Sequence, residues 1–193
     1  MEQVKKTRKE EIFSRAAELF KLRGYEATTM RDIAREVGIE AASLYNHIRS
    51  KDELLREICF QVANRYVSEM KQIVATDAAP TDKLSALIRL HVRLATDDTA
   101  AVHIANYEWK HLPEADLLAF KNLRKNYENG FLDLINDGIL RGQLNPALDP
   151  KVALFTILSA VRWIGFWYRE DRHVAPNMLE KQIEMILMNG LKS

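Results

Sequence analysis

The sequence predicts an all-α fold of nine helices: a three-helix N-terminal domain, a connector helix and a five-helix C-terminal bundle. Apolar residues recur at the three- and four-residue spacing of a helix face, and no segment alternates cleanly as a half-buried strand does. Glycine and proline lie between these periodic runs, where helices end and begin. No proline precedes Pro80, and each of the five prolines lies near a predicted helix boundary.

The N-terminal domain, residues 1–50, is predicted to contain three short helices over residues 7–23, 30–37 and 41–47. Thr29 is placed to cap the second helix, with Asp32 at capping-box spacing. Gly38 supplies the left-handed turn that ends this helix. In the third helix, Leu44 and Ile48 face the core, which leaves the remaining side chains for other contacts.

Residues 51–193 are predicted to form the connector helix and a ligand-binding and dimerisation bundle. Ser50 can cap the connector with Glu53 as box partner, and Asp149 and Pro150 look like the cap and first residue of a later helix. The predicted bounds are 51–75, 82–95, 100–110, 113–141, 151–169 and 176–188.

Charge and cysteine content restrict the function classes. The net charge of +1 excludes a whole-chain basic excess, so a DNA-binding charge has to be local, as in the N-terminal run of Lys5, Lys6, Arg8 and Lys9. The single cysteine excludes an internal disulfide and a cysteine-based zinc site, which fits a reducing, cytoplasmic location. MEQVKKTRKE has no apolar core region, so it is not expected to act as a secretory signal.

The most hydrophobic stretch, 152–168, contains Arg162 and is shorter than the about 20 apolar residues of a membrane span. It is interpreted as a core or interface helix, and no membrane partner is expected.

The second and third helices, joined by a glycine-containing turn, have the spacing of a DNA-binding helix-turn-helix. The third helix offers side chains that can approach or hydrogen-bond phosphates and base edges, namely Ala42, Ser43, Tyr45, Asn46 and His47. Helix N-termini bind phosphates through free N–H groups, and Thr29 and Lys51 stand at two of them. The competing interpretation is a three-helix bundle that contacts protein rather than DNA.

The segment TTMRDIAREVGIEAASLYNHIRSKDELL resembles the N-terminal motif of the TetR family of one-component bacterial regulators, with a close match over residues 8–56. The resemblance implies phosphate contacts from Thr29, Tyr45 and Lys51, and places Ala42, Ser43 and Asn46 nearest the bases. His47 occupies the family's aromatic or histidine position. Three residues depart from the pattern: Glu40 where Ser or Thr is common, Ala42 where Gly is frequent, and Ile48 in place of Phe.

The same resemblance implies a ligand-responsive regulator, most simply a repressor. A homodimer would place two recognition helices about 34 Å apart, or a multiple of that distance, on a palindromic operator. An apolar helix over 152–168 and an amphipathic last helix suit a dimer interface.

His91, Tyr127 and Trp163 are the candidate ligand-binding residues, because helical bundles build ligand cavities between helices. Their competing role is ordinary core or dimer packing. LRKNYENGFLDLINDGILRGQL and ILSAVRWIGFWYR resemble, more loosely, a TetR subgroup tied to fatty-acid, steroid or aromatic-acid catabolism, of which several members sense acyl-CoA thioesters. Cations for a CoA ligand are available, although each can equally be a solvated side chain: Arg89, Arg93, Lys121, Arg124 and Arg162.

A metal site and an enzyme are the remaining alternatives. His103, Tyr107 and His111 recur every four residues beside Glu108, but two histidines eight apart cannot complete the ligand set of a metal ion, so no metal or other cofactor is expected. No phosphate-binding glycine loop, nucleophile elbow or paired catalytic carboxylates are recognisable, so no enzymatic activity is expected.

Overall fold

The computed structural model describes residues 7–168 and 174–191. Over these residues it has no strand, and it has nine helices when α8 and α9 are counted as one helix interrupted at Trp163, which confirms the predicted all-α class. The helices are α1 (Arg8–Arg23), α2 (Met30–Val37), α3 (Ala41–Tyr45), α4 (Lys51–Val74), α5 (Pro80–Asp97), α6 (Thr99–Tyr107), α7 (Glu114–Leu140), α8 (Pro150–Arg162), α9 (Ile164–Trp167) and α10 (Pro176–Asn189), with a 3₁₀ turn at Trp109–His111.

Local capping explains where the first helices begin and end. Thr7 caps α1 in a complete capping box with Glu10, and Thr29 caps α2 in the same way with Asp32. Gly38 ends α2 in the left-handed conformation, with φ of 72°, which costs a residue without Cβ little. The predicted caps of α2 are therefore confirmed.

The start of α4 differs slightly from the expected capping box. The Ser50 hydroxyl accepts the Glu53 N–H at 3.1 Å, as predicted. The Glu53 carboxylate instead accepts the N–H of Arg49, at 2.8 Å, one residue earlier than a capping box requires. Two hydrogen bonds therefore connect Glu53 in the first turn of α4 to the preceding segment, one donated by its N–H and one accepted by its carboxylate.

Several predicted helix bounds were wrong by a few residues. α3 ends at Tyr45 rather than His47, and α5 begins with Pro80 as its first residue. α6 ends at Tyr107, after which the chain forms a 3₁₀ turn, and Leu112 then adopts the extended conformation favoured before Pro113. α8 ends at Arg162 and α9 at Trp167. The predicted final residue of that helix, Arg169, lies outside the described residues.

The chain divides into two compact units. The first comprises the described part of Met1–Val62 together with Ala100–Phe120. The second comprises Ala63–Thr99 and the described part of Lys121–Ser193. Helices α4 and α7 contribute residues to both units. The expected assignment of DNA binding to residues 1–50 and of ligand binding and dimerisation to residues 51–193 stays a prediction.

The first unit has an aliphatic and aromatic core beneath the helix-turn-helix. α1 packs on α2 and α2 on α3. Burial of each large side chain contributes about 1.5–3 kcal/mol, so these residues hold α2 and α3 in place. The core includes Ile12, Phe20, Ile33, Leu44, Ile48, Leu54 and Leu55, all nearly inaccessible to solvent.

The second unit is built around α5, which packs against α8, α9 and α10. Among the described residues its interior is aliphatic and aromatic, and His91 is the buried polar residue there. Leu84, Leu87, Ile88, Phe131, Ile135, Ile157, Leu158 and Ile164 are buried there. No helix in the described part of the chain is both long and apolar enough to cross a bilayer.

Candidate DNA interface and sensor cluster

The short helix α3 presents one face to the core and the rest to solvent. Leu44 and Ile48 are buried, as predicted, and fix the rotation of the helix about its axis. Tyr45 is 54% exposed. Four other predicted DNA-contacting residues share this exposed surface or its edge: Ala42, Ser43, Asn46 and His47. The structure thus brings the five third-helix candidates together on one accessible surface.

Thr29, at the start of α2, is exposed and engaged in its cap. Its hydroxyl donates to the Asp32 carboxylate at 2.6 Å and accepts the Asp32 N–H at 3.2 Å. Hydrogen bonds from Thr29 lower the pKa of Asp32, with smaller contributions from the cations of Arg23 and Arg35. A phosphate contact would require the hydroxyl hydrogen of Thr29 to turn from the carboxylate toward the phosphate.

Lys51, the first residue of α4, has its ammonium held close to the protein. Nζ donates to the carbonyl oxygens of Tyr25 at 2.9 Å and Glu26 at 3.3 Å. It also lies 4.3 Å from the centre of the Tyr25 ring. Because an ammonium has three N–H groups, one donor is left over for a phosphate oxygen.

Sequence reasoning did not name the exposed arginines of the helix-turn-helix. Arg31 and Arg49 are exposed near the starts of α2 and α4, and the Arg35 side chain is 81% exposed. The indication available in the sequence was their positive charge, since the whole chain has a net charge of only +1. By contrast, Arg8 pairs with Glu11 at 2.6 Å, and the predicted basic residues Lys5 and Lys6 lie outside the described residues.

Glu40, the residue that departs from the family pattern, is the N-cap of α3. It is exposed and its side chain makes no capping hydrogen bond. A carboxylate at this end suits the helix dipole, but it also adds negative charge at the rim of a surface that would meet phosphates.

In the second unit, two of the three ligand candidates lie together. The Tyr127 hydroxyl is 3.0 Å from Nε2 of His91. The Tyr66 ring stacks on His91 with centroids 4.5 Å apart, and Phe131 lies 5.9 Å from the His91 ring. Burial, and to a smaller extent the Arg162 cation, lowers the pKa of His91 to about 3, so the ring is neutral at physiological pH. We call His91, Tyr127, Tyr66 and Phe131 the aromatic cluster.

Trp163, the third candidate, is not part of the aromatic cluster. It is 59% exposed, stands at the break between α8 and α9, and contacts Phe166 with ring centroids 4.7 Å apart. Its role as a ligand contact stays a prediction. Sequence could not place it, because the apolar run gives no sign of which side of the helix is covered.

The candidate CoA-binding cations differ in their surroundings. Arg162 pairs with Glu128 at 3.5 Å, and both side chains are largely covered. Arg93 pairs with Glu69 at 3.3 Å, while Arg89 lies 4.0 Å from Glu184. Lys121 is exposed and Arg124 is partly buried. Several of these cations already have carboxylate partners within the unit.

The side chains of the candidate metal site do not converge on one point. The His103 ring lies against Tyr107, at 4.9 Å, whereas His111 pairs with Glu108 and Glu26 at 3.4 and 3.5 Å. Among the described residues, no group of three or more His, Cys, Asp or Glu side chains could hold a metal ion.

An exposed helix-turn-helix on a helical core, joined to a helical unit with its own core, defines the class of helix-turn-helix transcriptional regulators. Residues 12–58 match the family described as "Bacterial regulatory proteins, tetR family", and residues 77–191 match the "Tetracyclin repressor-like, C-terminal domain". The chain belongs to the TetR family and is a DNA-binding transcriptional regulator. The family resemblance seen in the sequence is thereby confirmed.

Similar proteins extend the match over the full length. The HTH-type transcriptional repressor KstR2 of Rhodococcus jostii is 30% identical over 98% of this chain and 93% of that protein. The structure of the ketosteroid transcriptional regulator KstR2 of Mycobacterium tuberculosis covers 98% of this chain and 97% of its own, at 27% identity and a TM-score of 0.93. AibR in complex with isovaleryl coenzyme A and operator DNA covers 96% and 98%, at 26% identity and a TM-score of 0.81.

Proposed function

We propose that this protein is a homodimeric repressor that binds a palindromic operator and is released by a small hydrophobic or acyl-CoA-type effector. The observation that carries the proposal is the exposed surface of α3 on a buried two-residue anchor, Leu44 and Ile48. That geometry lets a helix enter a major groove without unfolding the domain. Similar proteins that are named as repressors also support the proposal. Such regulators would meet DNA in the bacterial cytoplasm.

The contacts follow from where the side chains lie. Thr29, Tyr45 and Lys51 would bind phosphates at two helix starts and on the exposed face of α3, and position the domain irrespective of sequence. Base edges would be approached by Ala42 and Ser43 of α3 and by Asn46 directly after it, with His47 one residue further along the chain.

An uncovered apolar surface on α8–α10 supports the homodimer. Single exposed apolar residues are ordinary, but this set is concentrated on consecutive elements of the second unit. Its members are Val152, Phe155, Trp163, Phe166, Trp167, Met178, Met185 and Ile186, each at least 46% exposed. Pairing of two copies through this surface would bring two recognition helices onto one palindrome.

The effector class rests on the aromatic cluster and on relatives. The AibR structure is a complex with isovaleryl coenzyme A, and KstR2 is named a ketosteroid regulator. For this chain, an acyl group would lie against the His91 and Tyr127 side chains, and the anionic CoA portion would meet cations such as Arg89, Arg93, Lys121, Arg124 and Arg162. Trp163 remains a third proposed ligand contact. Residues 51–193 then form the sensing domain and residues 1–50 the DNA-binding domain.

Release requires the effector to bind one conformer more tightly than the other. An acyl-CoA with equal affinity for both conformers would change nothing, however tightly it bound. We infer that the effector favours a conformer whose two recognition helices no longer match the operator spacing, so operator affinity falls by the ratio of the two effector affinities.

Operator binding by surface variants tests the DNA-docking part. DNA selected from a random library serves as operator, and fluorescence anisotropy gives Kd over a range of salt. Tyr45→Ala and Lys51→Ala are expected to weaken binding to all sequences, whereas Ser43→Ala and Asn46→Ala change sequence preference. Lys71→Ala, which removes an exposed cation from the second unit, is the matched control.

Three outcomes would overturn the proposal. Unchanged binding in all four variants excludes docking through α3. No DNA affinity at low salt, or affinity that does not fall as salt rises, would favour a protein-interaction module, because phosphate contacts release counterions.

A further inference from the structure

The ammonium of Lys51 is positioned by the loop segment Tyr25–Glu26, which lies between α1 and α2. Both carbonyl oxygens of this segment accept hydrogen bonds from Nζ, at 2.9 and 3.3 Å. The face of the Tyr25 ring adds a cation–π contact. A displacement of the segment Tyr25–Glu26 would therefore also displace the positive charge of Lys51 at the start of α4.

Tyr25 is itself closely held. Its ring is 6% exposed, and the edge of Phe20 packs against it with centroids 5.2 Å apart. Its hydroxyl donates to the Asp52 carboxylate, one residue after Lys51. The first two residues of α4 therefore both contact Tyr25, one through the backbone and ring face and the other through the hydroxyl.

The remaining contact on this segment comes from His111, at the end of the 3₁₀ turn between α6 and α7. Its ring stacks on Tyr25, with centroids 5.4 Å apart and planes inclined by 26°. Its Nδ1 lies 3.5 Å from the Glu26 carboxylate, and its Nε2 lies 3.4 Å from that of Glu108. His111 thus contacts both residues whose carbonyls hold Lys51, while Glu108 fixes the other side of its ring.

We propose that His111 is a positioning residue for operator binding: through Tyr25 and Glu26 it sets the position of the Lys51 ammonium that contacts the phosphate. This inference rests on the proposed function, because it gives Lys51 a phosphate to bind. It makes the 3₁₀ turn at Trp109–His111 a determinant of DNA affinity, although no residue of that turn belongs to the helix-turn-helix. α7, which carries the ligand candidate Tyr127, begins shortly after the turn.

A double-mutant cycle on DNA binding tests this assignment. His111→Ala, Lys51→Ala and the double variant are compared with wild type by anisotropy on the selected operator. A stacked aromatic pair of this kind supports about a 2- to 10-fold effect, so His111→Ala should weaken binding by that factor. In the Lys51→Ala background the same change should have almost no effect, because the ammonium that His111 positions is gone.

Two further readouts separate positioning from a loss of fold. The slope of log Kd against log salt should become shallower in His111→Ala, by about one for each phosphate that the protein no longer binds, as it does in Lys51→Ala. His111→Phe keeps the ring that stacks on Tyr25 but loses the contacts with Glu26 and Glu108, so affinity should recover in part. Lys110→Ala, an exposed neighbour in the same turn, should bind as wild type does. Circular dichroism and thermal unfolding establish that each variant is folded.

The outcomes distinguish this inference from the proposed function. Equal weakening by His111→Ala in both backgrounds, or wild-type affinity in His111→Ala while Lys51→Ala binds weakly, overturns the positioning role and leaves DNA docking intact. Unchanged affinity in Lys51→Ala overturns both the positioning role and the phosphate contact assigned to Lys51.

Discussion

The Tyr127 hydroxyl lies 3.0 Å from Nε2 of His91, and this polar pair joins α7 to α5 within the mainly apolar interior of the second unit. A neutral imidazole has one donor and one acceptor, so each ring nitrogen needs a partner of the right kind. The Tyr66 ring stacks on the His91 ring and restricts its movement. A buried pair of this kind restricts both how the helices pack and which ligand groups can replace the hydroxyl.

Stability should depend on pH through His91. Burial holds its pKa at about 3 in the folded protein, whereas the unfolded chain has an imidazole pKa of about 6.5. As pH falls below about 6.5 the unfolded state takes up a proton that the folded state refuses, so stability is full above that pH and declines toward pH 3. At pH 5 the loss is about 2 kcal/mol.

Urea unfolding of wild type and His91→Phe from pH 7.5 to 5 measures this pH dependence. Subtracting the two curves removes the titration of all other groups. A difference that does not change with pH would show that His91 is not a buried neutral group.

Removing the Tyr127 hydroxyl should destabilise the second unit. Tyr127→Phe leaves a buried ring nitrogen of His91 without its partner, which costs about 1–3 kcal/mol. Tyr45→Phe, which removes a hydroxyl from a side chain that is 54% exposed, is the control and should stay within about 0.5 kcal/mol of wild type. Chemical denaturation gives both values, and an equal effect of the two substitutions would contradict the buried pair.

The cap at Thr29 predicts that the Thr29→Ser and Thr29→Ala variants differ in stability and in operator affinity. Thr29→Ala removes the acceptor of the Asp32 N–H and should cost about 1 kcal/mol of stability, together with operator affinity. Thr29→Ser keeps the hydroxyl and should retain both. Thermal unfolding and anisotropy measure the two effects, and weak DNA binding by a fully stable Thr29→Ser would show that the methyl group, not the cap, matters.

The exposed surface of α8 predicts a change in assembly. Phe155→Glu places a charge in the surface proposed to pair, so the dimer should dissociate to monomers and bind the palindrome poorly. Light scattering after size-exclusion chromatography measures the mass. Leu22→Glu, at a residue that is 78% exposed on α1, should leave the dimer intact. A dimeric Phe155→Glu protein would place the interface elsewhere.

Features encoded within a few residues were predictable from sequence. The caps Thr29 and Asp149 and the left-handed Gly38 were found because each acts on its own helix end. The exposed face of α3 followed from the spacing of two apolar residues. The break at Trp163 could not be seen, because the residues after it are as apolar as those before.

Contacts between distant parts of the chain were beyond sequence reasoning. The sequence indicates His111 only as part of a candidate metal site, because its spacing to His103 is visible in the sequence and its stacking on Tyr25 is not. Lys51 was identified by its position at a helix start, but the two carbonyls that hold its ammonium belong to a loop with no motif of its own.

Operator release by thioesters tests the central claim most directly. The selected operator, labelled for anisotropy, is bound by the protein and titrated with a panel of acyl-CoA thioesters, from isovaleryl-CoA to a steroid-derived acyl-CoA, with free CoA and the free acids as controls. The account predicts that at least one thioester raises the operator Kd by about 5- to 150-fold while the controls leave it unchanged. Failure of every thioester to change the Kd, with the operator tightly bound throughout, would contradict it.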